Sequence, residues 1–239
     1  KKIMFIKKKQ LAIIMPVYNE QDIIEKVVKD WLLVAKKFNG SLIVVNDGSS
    51  DNSSKILKKI NQKSIRLTII NKKNSGHGPT IYKGYEYALK KKFNFIFQVD
   101  SDDQFFTKDF DKIWQLKNSQ SLILGFRKKR YDSVHRLIIT RLLKFLNLIL
   151  FRRLVPDANI PYRLMGYHFL KKNIKFINSK SLAPNILFSI KAAKDKKLKT
   201  LIISHKERLT GQVWIVKFKL IKFMFKVFIQ IIYFKKKIK

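Results

Sequence analysis

The chain has 239 residues, of which 52 are Lys or Arg and 16 are Asp or Glu, giving a formal net charge of +36 at pH 7. A hydrophobic fraction of 46% is enough for the core of one sizeable domain, which excludes a wholly disordered chain. The sequence contains no cysteine, which excludes disulfides, thiolate zinc sites and a cysteine nucleophile and fits a reducing cytosol. The positive charge would attract nucleic acid, anionic lipid head groups or phosphorylated substrates, although much of it reflects a lysine-rich composition throughout.

The first half of the chain alternates apolar runs with segments of helical spacing. Strands are predicted at 11–15, 42–45, 65–70, 94–99 and 121–125. Helices are predicted between them at 20–38, 52–60 and 79–91. Strand–helix units of this length predict an α/β fold with a mostly parallel, doubly wound sheet and right-handed crossovers.

Beyond Gly125 the pattern changes to long, strongly apolar segments. The spacing of their polar residues predicts helices over 134–151 and 212–234. The second helix carries lysines on one side of an otherwise apolar surface: Lys219, Lys222 and Lys226. This amphipathic pattern, with the basic tail KKKIK at 235–239, favours binding at a bilayer interface. The alternative is a helix pair that packs into the domain or against a dimer partner.

Polar loops follow four of the predicted strands, at 16–20, 46–51, 74–79 and 100–104. In a parallel sheet, ligands bind beyond the carboxyl ends of the strands. We therefore expect these four loops to meet in a single crevice.

The last of these loops contains an Asp-x-Asp pattern made by Asp100 and Asp102. Alternate residues of an extended segment share a face, so the two carboxylates can point toward one cation. Hard oxygen ligands suit Mg²⁺ or Mn²⁺, which typically keep positions open for substrate phosphates. Acidic residues after a strand can also do no more than cap the next helix, and this spacing alone does not decide between the two interpretations.

Together, several segments resemble the family-2 nucleotide-sugar glycosyltransferases, in particular the branch similar to dolichol-phosphate mannose synthase and bacterial polyprenyl-phosphate glycosyltransferases. The matching segments are PVYNE (16–20), VVNDGSSDNS (44–53), NSGHGPTIYKGY (74–85), VDSDDQF (99–105), GFR (125–127), RLIITR (136–141) and DANIPYRLM (157–165). The resemblance implies a Rossmann-like, A-type glycosyltransferase fold with C-terminal amphipathic helices. It implies a catalytic domain at 1–210 and a basic membrane-interface tail at 211–239.

The resemblance also assigns expected roles to individual residues. The donor nucleotide sugar would be bound by Pro16, Tyr18, Glu20, Asp47, Gly76, Gly78 and Asp100, with Asp47 reading the base or ribose. A divalent cation, Mg²⁺ or Mn²⁺, would be held on the donor diphosphate by Asp100, Asp102 and Gln104. This would explain why a basic chain concentrates aspartates behind a buried strand.

Four residues are expected to carry the catalysis: Asp102, Arg127, Arg136 and Arg163. By the resemblance, Arg127 grips phosphate, and Arg136 and Thr140, one helical turn apart, bind the acceptor phosphate. Asp157 and Arg163 match the charged ends of a family element whose middle differs here, since 160–162 read Ile-Pro-Tyr in place of Ser-Gly-Phe. Only the charged ends are therefore carried over.

The implied function is inverting transfer of a hexose, of mannose or glucose type, from a nucleotide diphosphate sugar to a polyprenyl (dolichyl or undecaprenyl) phosphate in cell envelope glycan synthesis. One alternative is transfer to a hydroxyl of a glycan or glycolipid, for which Asp103 would be the base. A second is a non-enzymatic protein that binds nucleic acid. We expect a peripheral enzyme at the cytoplasmic face of a membrane, without nucleic acid, and leave open a homodimer or a membrane-protein partner.

Overall fold

The computed structural model describes residues 10–127, 155–207 and 217–238. Across these ranges seven strands form one sheet, in the order β3-β2-β1-β4-β6-β5-β7. The strands are β1 (Leu11–Val17), β2 (Gly40–Asn46), β3 (Leu67–Asn71), β4 (Phe95–Gln98), β5 (Leu122–Arg127), β6 (Arg163–Gly166) and β7 (Leu198–Ile203). All neighbouring pairs are parallel except those of β6, which runs antiparallel to β4 and β5. The mostly parallel α/β fold is thus confirmed.

Helices cover the sheet and connect its strands. They are α1 (Ile24–Lys37), α2 (Ser53–Asn61), α3 (His77–Lys90), α4 (Phe110–Gln115), α5 (Tyr167–Asn173), α6 (Pro184–Lys194) and α7 (Lys217–Lys237). The first three and α7 correspond to predicted helices, whereas α4, α5 and α6 were not predicted. The predicted helix over 134–151 lies outside the described residues, as do residues 212–216.

The core lies on both faces of the first strands. Every residue of β1 and β2 is buried, so their sequences lack the polar–apolar alternation of a sheet with one wet face. On one face, the predicted apolar side of α1 is buried, and its Trp31 lies 5.3 Å (between ring centroids) from Phe97 of β4. Phe110 and Tyr162 pack edge-on to the Phe97 ring, which ties β4 to later parts of the chain.

Pro16 lies inside β1, although a proline has no N–H to donate. The strand pairs with β2 over its full length, but its pairing with β4 ends at Ile14. The carbonyl of Ile14 accepts from Val99 N on the β4 side, and that of Val17 accepts from Asp47 N on the β2 side. The missing N–H of Pro16 therefore falls on the β4 side, past the end of the pairing, where no ladder bond is lost.

The same place is where the strand order reverses. The chain builds β2 and β3 on one side of β1 and then crosses to β4 on the other. In open α/β sheets this reversal point is where ligands bind, outside the carboxyl ends of the strands. The topology thus predicts a ligand-binding crevice between the loops that follow β1 and β4.

The C-terminal helix α7 packs one apolar face on the domain, with Val227, Ile231 and Phe234 at most 2% exposed. Its Gln230 Oε1 accepts hydrogen bonds from Ser181 Oγ (3.2 Å) and Leu182 N (3.1 Å). The apolar surface predicted to face a membrane is therefore partly used for packing within the chain. No helix in the described ranges is long and apolar enough to cross a membrane.

Candidate active site

The loops after β1 and β2 are joined by side-chain to backbone hydrogen bonds. Asn19, at a left-handed φ of 53°, donates its backbone N–H to Ser49 Oγ (3.1 Å), and its Oδ1 accepts from Ser50 N (2.8 Å). Glu20 N donates to Ser53 Oγ at 2.9 Å, which also fixes the start of α2. The expected meeting of loops 16–20 and 46–51 is present in the structure.

Asp47 joins the glycine turn to the same crevice. Its carboxylate accepts from Ser75 N and Gly76 N, each at 2.9 Å, and it forms a short ion pair with Lys72. Its side chain is only 5% exposed. The described contacts make Asp47 the anchor of the turn before α3, while its expected role in reading the base or ribose stays a prediction.

The glycine turn and the acidic loop meet at His77, the first residue of α3. Its Nε2 lies 3.0 Å from Asp100 Oδ1 and, because a carboxylate only accepts, this ring nitrogen is the donor. Partial burial acts to lower the pKa of His77, but Asp100, Asp102 and Asp47 outweigh it and raise the pKa above 6.5. Aspartates from the loops after β2 and β4 thus act electrostatically on one imidazole, and sequence reasoning had given His77 no role.

The remainder of the acidic loop is held from the far end of the sheet. Asp102 Oδ1 accepts from Gln104 N at 3.3 Å, and Lys206, after β7, donates its N–H to Gln104 O at 2.8 Å. Asp103 has a left-handed φ of 54° and forms ion pairs with Lys26 (3.0 Å) and Lys206 (2.9 Å). Gln104 Nε2 donates to Lys206 O at 3.4 Å. A contact between the Gln104 amide and a metal ion stays a prediction.

The donor set fits a divalent cation that is shared with a substrate. Asp100 and Asp102 offer carboxylate oxygens, the ligands that Mg²⁺ and Mn²⁺ prefer. Within the described ranges, no three His, Asp or Glu side chains come together closely enough to hold a metal ion by themselves. Two carboxylates suit an ion that takes its other ligands from water and phosphate oxygens, as Mg²⁺ commonly does.

The two glycines of the turn differ in what requires them. Gly76 has φ +91°, and an added Cβ would meet nothing within 4 Å, so its surroundings are open. A Cβ on Gly78 would lie 2.1 Å from Ser181 O and 2.6 Å from Leu182 O. The structure accounts for Gly78 by close packing against the chain before α6, and the open side of Gly76 leaves room for a ligand. The predicted ligand contacts of both glycines stay predictions.

Arg127, at the end of β5, lies in a nearly buried ion pair. Its Nε and NH2 donate to Asp157 Oδ2 at 3.0 and 2.9 Å, and the two side chains are 10% and 7% exposed. Its NH1 approaches His205 Nε2 at 3.5 Å. Arg127 thus binds Asp157, which the resemblance matched to one charged end of a family element, and a phosphate contact by Arg127 stays a prediction.

Arg163 lies in the core, and its predicted catalytic role stays a prediction. It is fully buried at the start of β6 and donates to the carbonyls of Ala158 (2.9 Å), Ile160 (2.8 and 2.6 Å) and Asn185 (2.8 Å). Burial lowers its pKa to about 10, so the side chain remains a cation at neutral pH. Its guanidinium donates hydrogen bonds to backbone carbonyls in the core. Because buried carbonyls require donors, Arg163 contributes to the structure of this region.

The other predicted residues fall into two groups. Pro16 is buried in β1, and Tyr18 and Glu20 are partly exposed in the loop that follows its carboxyl end. Arg136 and Thr140 lie outside the described residues.

Comparison with known proteins places this site within a known family. The sequence model of glycosyl transferase family 2 matches residues 12–194, which include all four crevice loops. An uncharacterized protein of Methanocaldococcus jannaschii is 32% identical over 174 residues, covering 68% of this chain and 74% of that protein. A dolichyl-phosphate beta-glucosyltransferase of Dictyostelium discoideum is 27% identical over 139 residues, covering 52% of this chain and 41% of that protein.

A second transferase and a solved structure extend the likeness. An undecaprenyl-phosphate 4-deoxy-4-formamido-L-arabinose transferase of Edwardsiella ictaluri is 25% identical over 138 residues, covering 56% of this chain and 42% of that protein. Glucosyl-3-phosphoglycerate synthase of Mycobacterium tuberculosis, solved with Mn²⁺, uridine diphosphate and glucosyl-3-phosphoglycerate, superposes with a TM-score of 0.68 at 12% sequence identity. The superposition covers 95% of this chain and 80% of that one, and it shows the shared A-type fold.

Proposed function

This chain belongs to glycosyl transferase family 2, and from that premise we propose that it moves a hexose from a nucleotide diphosphate sugar to a polyprenyl phosphate. Its being a glycosyltransferase is established by the family match, which also sets aside the non-enzymatic alternative. The observation that supports the proposal is the meeting of the strand-end loops: Asp47 accepts from the glycine turn, and His77, next in the chain, lies 3.0 Å from Asp100 Oδ1.

The crevice suits a donor with a diphosphate. A divalent cation held by Asp100 and Asp102 would neutralise the leaving nucleoside diphosphate. The chain's own residues would bind and orient the donor. Asp47 fixes the glycine turn, whose Gly76 has open space beside it, and Lys72 forms an ion pair with Asp47 at the same edge of the sheet. Fixed donors and cations of this kind favour the developing charge without reorganisation during the reaction.

The ion pairs of Asp103 favour a phosphate acceptor over a hydroxyl acceptor. A hydroxyl must lose a proton to a base as it attacks, whereas a polyprenyl phosphate is already ionised at neutral pH. Asp103, the base expected for the alternative, forms ion pairs with Lys26 and Lys206. Lys26 lies on Asp103 Oδ2 and Lys206 on Asp103 Oδ1, so both carboxylate oxygens are already engaged within the chain and neither is turned to an acceptor hydroxyl. Two transferases similar to this chain act, by their names, on dolichyl and undecaprenyl phosphate.

The outer face of α7 supports a membrane surface as the place of action. Phe225 and Tyr233 are each 64% exposed and Ile229 is 49% exposed, on the side opposite the face that packs on the domain. Exposed lysines flank this stripe: Lys222, Lys226, Lys236 and Lys237. Aromatic and aliphatic side chains among lysines, with no acidic residue in the first turn, suit peripheral binding to an anionic leaflet, which we place at the cytoplasmic face.

The acceptor is tested by product analysis. Purified protein is incubated with a panel of nucleotide sugars, Mn²⁺ and a short polyprenyl phosphate, and the lipid product is extracted. We expect a sugar joined to the lipid through phosphate, released by mild acid. Transfer only to hydroxyl acceptors, under conditions in which polyprenyl phosphate receives no sugar, would overturn the lipid-phosphate assignment while leaving the enzyme class intact.

The membrane surface is tested by co-sedimentation with vesicles. We expect binding to phosphatidylglycerol vesicles that weakens with salt, and little binding to phosphatidylcholine vesicles. The double substitution Phe225→Ser and Tyr233→Ser should reduce the binding severalfold. Leu33→Ser, at a residue 67% exposed on α1, is the matched control and should leave it unchanged. Equal loss in both variants, or equal binding to both lipids, would contradict the proposal.

A further inference from the structure

A chain of buried polar side chains runs beneath the crevice and ends at Asp100. It consists of Gln98, Tyr85 and Asn185, which are at most 1% exposed. Gln98 is the last residue of β4, Tyr85 lies on α3 and Asn185 lies near the start of α6. Buried polar groups cost free energy unless they are hydrogen-bonded, so a connected group in this position calls for a physical reason.

The hydrogen bonds fix the orientation of the Gln98 amide. Asn185 Nδ2 donates to Gln98 Oε1 at 2.8 Å, and Tyr85 OH lies 3.0 Å from the same oxygen. The amide nitrogen of Gln98 must therefore face the other way, where it donates to Asp100 Oδ1 at 3.1 Å. A carboxylate only accepts, so the opposite orientation of the amide would place oxygen against oxygen.

Arg163 supports the far end of this chain. Its NH1 donates to the carbonyl of Asn185 at 2.8 Å, and also approaches Ser189 Oγ at 3.3 Å. Ser189 Oγ in turn lies 2.8 Å from the Asn185 carbonyl, within α6. The arginine predicted to act on substrate thus holds the segment that presents Asn185 to Gln98.

The result is that one oxygen of Asp100 is occupied from two sides. Its Oδ1 receives Gln98 Nε2 from beneath and His77 Nε2, at 3.0 Å, from the start of α3. Across the described residues, both of these contacts go to Oδ1, and the carboxylate as a whole is 25% exposed. Two donors on Oδ1 fix the side-chain torsion and leave Oδ2 as the oxygen available to a cation.

We infer that Gln98 is the positioning residue of the proposed cation site, acting through Asp100, with Tyr85 and Asn185 setting the direction of its amide. This inference rests on the proposed function, since it takes Asp100 to be a cation ligand. Outer-shell partners orient the ligating carboxylate before the ion arrives, and their removal commonly weakens metal binding about 10–100-fold.

The experiment measures Mn²⁺ binding to the full chain by electron paramagnetic resonance of the free ion, without nucleotide or acceptor. Gln98→Met keeps the length of the side chain but removes both its donor and its acceptor, and we expect the Kd for Mn²⁺ to rise about tenfold or more. In transfer assays the same variant should need a higher Mn²⁺ concentration for half-maximal rate. Its kcat at saturating Mn²⁺ should fall by a much smaller factor than the Mn²⁺ requirement rises.

Tyr85→Phe has a matched control in Tyr162→Phe. Both tyrosines are fully buried, but the hydroxyl of Tyr162 has no hydrogen-bond partner within the part of the chain that the structure describes. We expect Tyr85→Phe to raise the Kd for Mn²⁺ by a smaller factor than Gln98→Met, and Tyr162→Phe to leave it unchanged. Tyr85→Phe keeps the inference testable if Gln98→Met does not fold.

Asp100→Asn separates failure of this inference from failure of the proposed function. Loss of Mn²⁺ binding in Asp100→Asn, with wild-type binding in folded Gln98→Met and Tyr85→Phe, would overturn the positioning role alone. Unchanged Mn²⁺ binding in Asp100→Asn, or no binding by the wild type, would overturn the cation site itself. Equal effects of Tyr85→Phe and Tyr162→Phe on the Kd for Mn²⁺ would mean that the network only supports the fold. That result would also overturn the inference.

Discussion

Residues 10–105 and residues 155–207 both contribute charged side chains to the carboxyl edge of the sheet, but they use them differently. In the first region, Asp100 accepts from His77 at the crevice and is 25% exposed, while the buried Asp47 anchors the neighbouring glycine turn. In the second, Asp157 binds Arg127 and Arg163 binds core carbonyls, so their charges are satisfied within the protein. Charged residues matched to the same family thus lie at the crevice in the first region and contribute to the core in the second.

The difference shows that a charged residue in a motif does not by itself identify a substrate contact. The second region acts on the crevice indirectly, through backbone and buried side chains. Ser204 N binds Asp109 at 2.8 Å, Phe105 and His205 form an isolated bridge, and Lys206 holds the acidic loop. The crevice is therefore built by the first region and braced by the second.

The largest expected effect is on the crevice side of the comparison. Asp102→Ala should lower metal-dependent transfer by at least about 100-fold, because it removes one of the two carboxylates proposed to hold the cation on the leaving group. Its unfolding transition should stay close to that of the wild type. Asp111→Ala, at an exposed aspartate paired with Lys37, is the control and should keep full activity. Full activity of Asp102→Ala would remove this residue from the site.

The next effect is on the core side. Arg163→Met should lower the free energy of unfolding by about 3 kcal/mol or more, because it leaves several buried carbonyls without donors. Urea unfolding measures the loss, and Arg163→Lys should recover only part of it, since an ammonium cannot reproduce the planar set of donors. An Arg163 variant with wild-type stability and no transfer activity would instead indicate that Arg163 acts on the substrate.

Gly78 tests the contact between the two regions. Gly78→Ala should cost about 3 kcal/mol of stability or more, because its Cβ would lie 2.1 Å from Ser181 O and 2.6 Å from Leu182 O. It should also raise the KM for the donor, since Gly78 follows His77 in the first turn of α3. Gly76→Ala meets no atom within 4 Å, so only its positive φ of 91° opposes the substitution, at about 1–3 kcal/mol. A larger stability loss for Gly76→Ala than for Gly78→Ala in thermal unfolding would contradict this account.

The smallest expected effect is pH-dependent and concerns Asp109, which is 1% exposed. Burial acts to raise its pKa, but the bonds from Lys112 and Ser204 N outweigh it and lower the pKa below 3.8. A lowered folded-state pKa gives stability that is complete above pH 3.8 and lost as the pH falls through the folded value. Asp109→Asn should therefore cost about 1 kcal/mol at pH 7 and progressively less in strong acid.

Urea titrations at several pH values measure this difference. A stability difference between Asp109→Asn and the wild type that does not shrink below pH 3.8 would mean that the ionised carboxylate is not what binds Ser204 N.

Local patterns predicted the first region well, for identifiable reasons. β1, β2 and the helix over α1 have unbroken apolar runs or a regular apolar stripe, and their loops carry Gly, Asn and Asp at turns that need them. The loops follow parallel strands, so their meeting follows from topology. His77 was missed because a histidine after a glycine has no meaning until the β4 loop is placed beside it.

The second region was predicted poorly because its order depends on distant partners. β6 has four residues, RLMG, and becomes a strand only between β4 and β5, to which it runs antiparallel. Arg163 resembles a catalytic residue in sequence, yet the carbonyls around it come from Ala158, Ile160 and Asn185. No local pattern specifies that they enclose it.

By itself, the sequence determined the class of fold, the family and the edge of the sheet at which the loops meet. These depend on short-range periodicity and on the direction of parallel strands, both of which are readable from neighbouring residues. Only the tertiary structure decided which charges face the crevice and which are buried, and that Gln98 directs its amide at Asp100. Burial and hydrogen-bond partners arise from segments up to about a hundred residues apart, whose contacts exist only once the chain has folded.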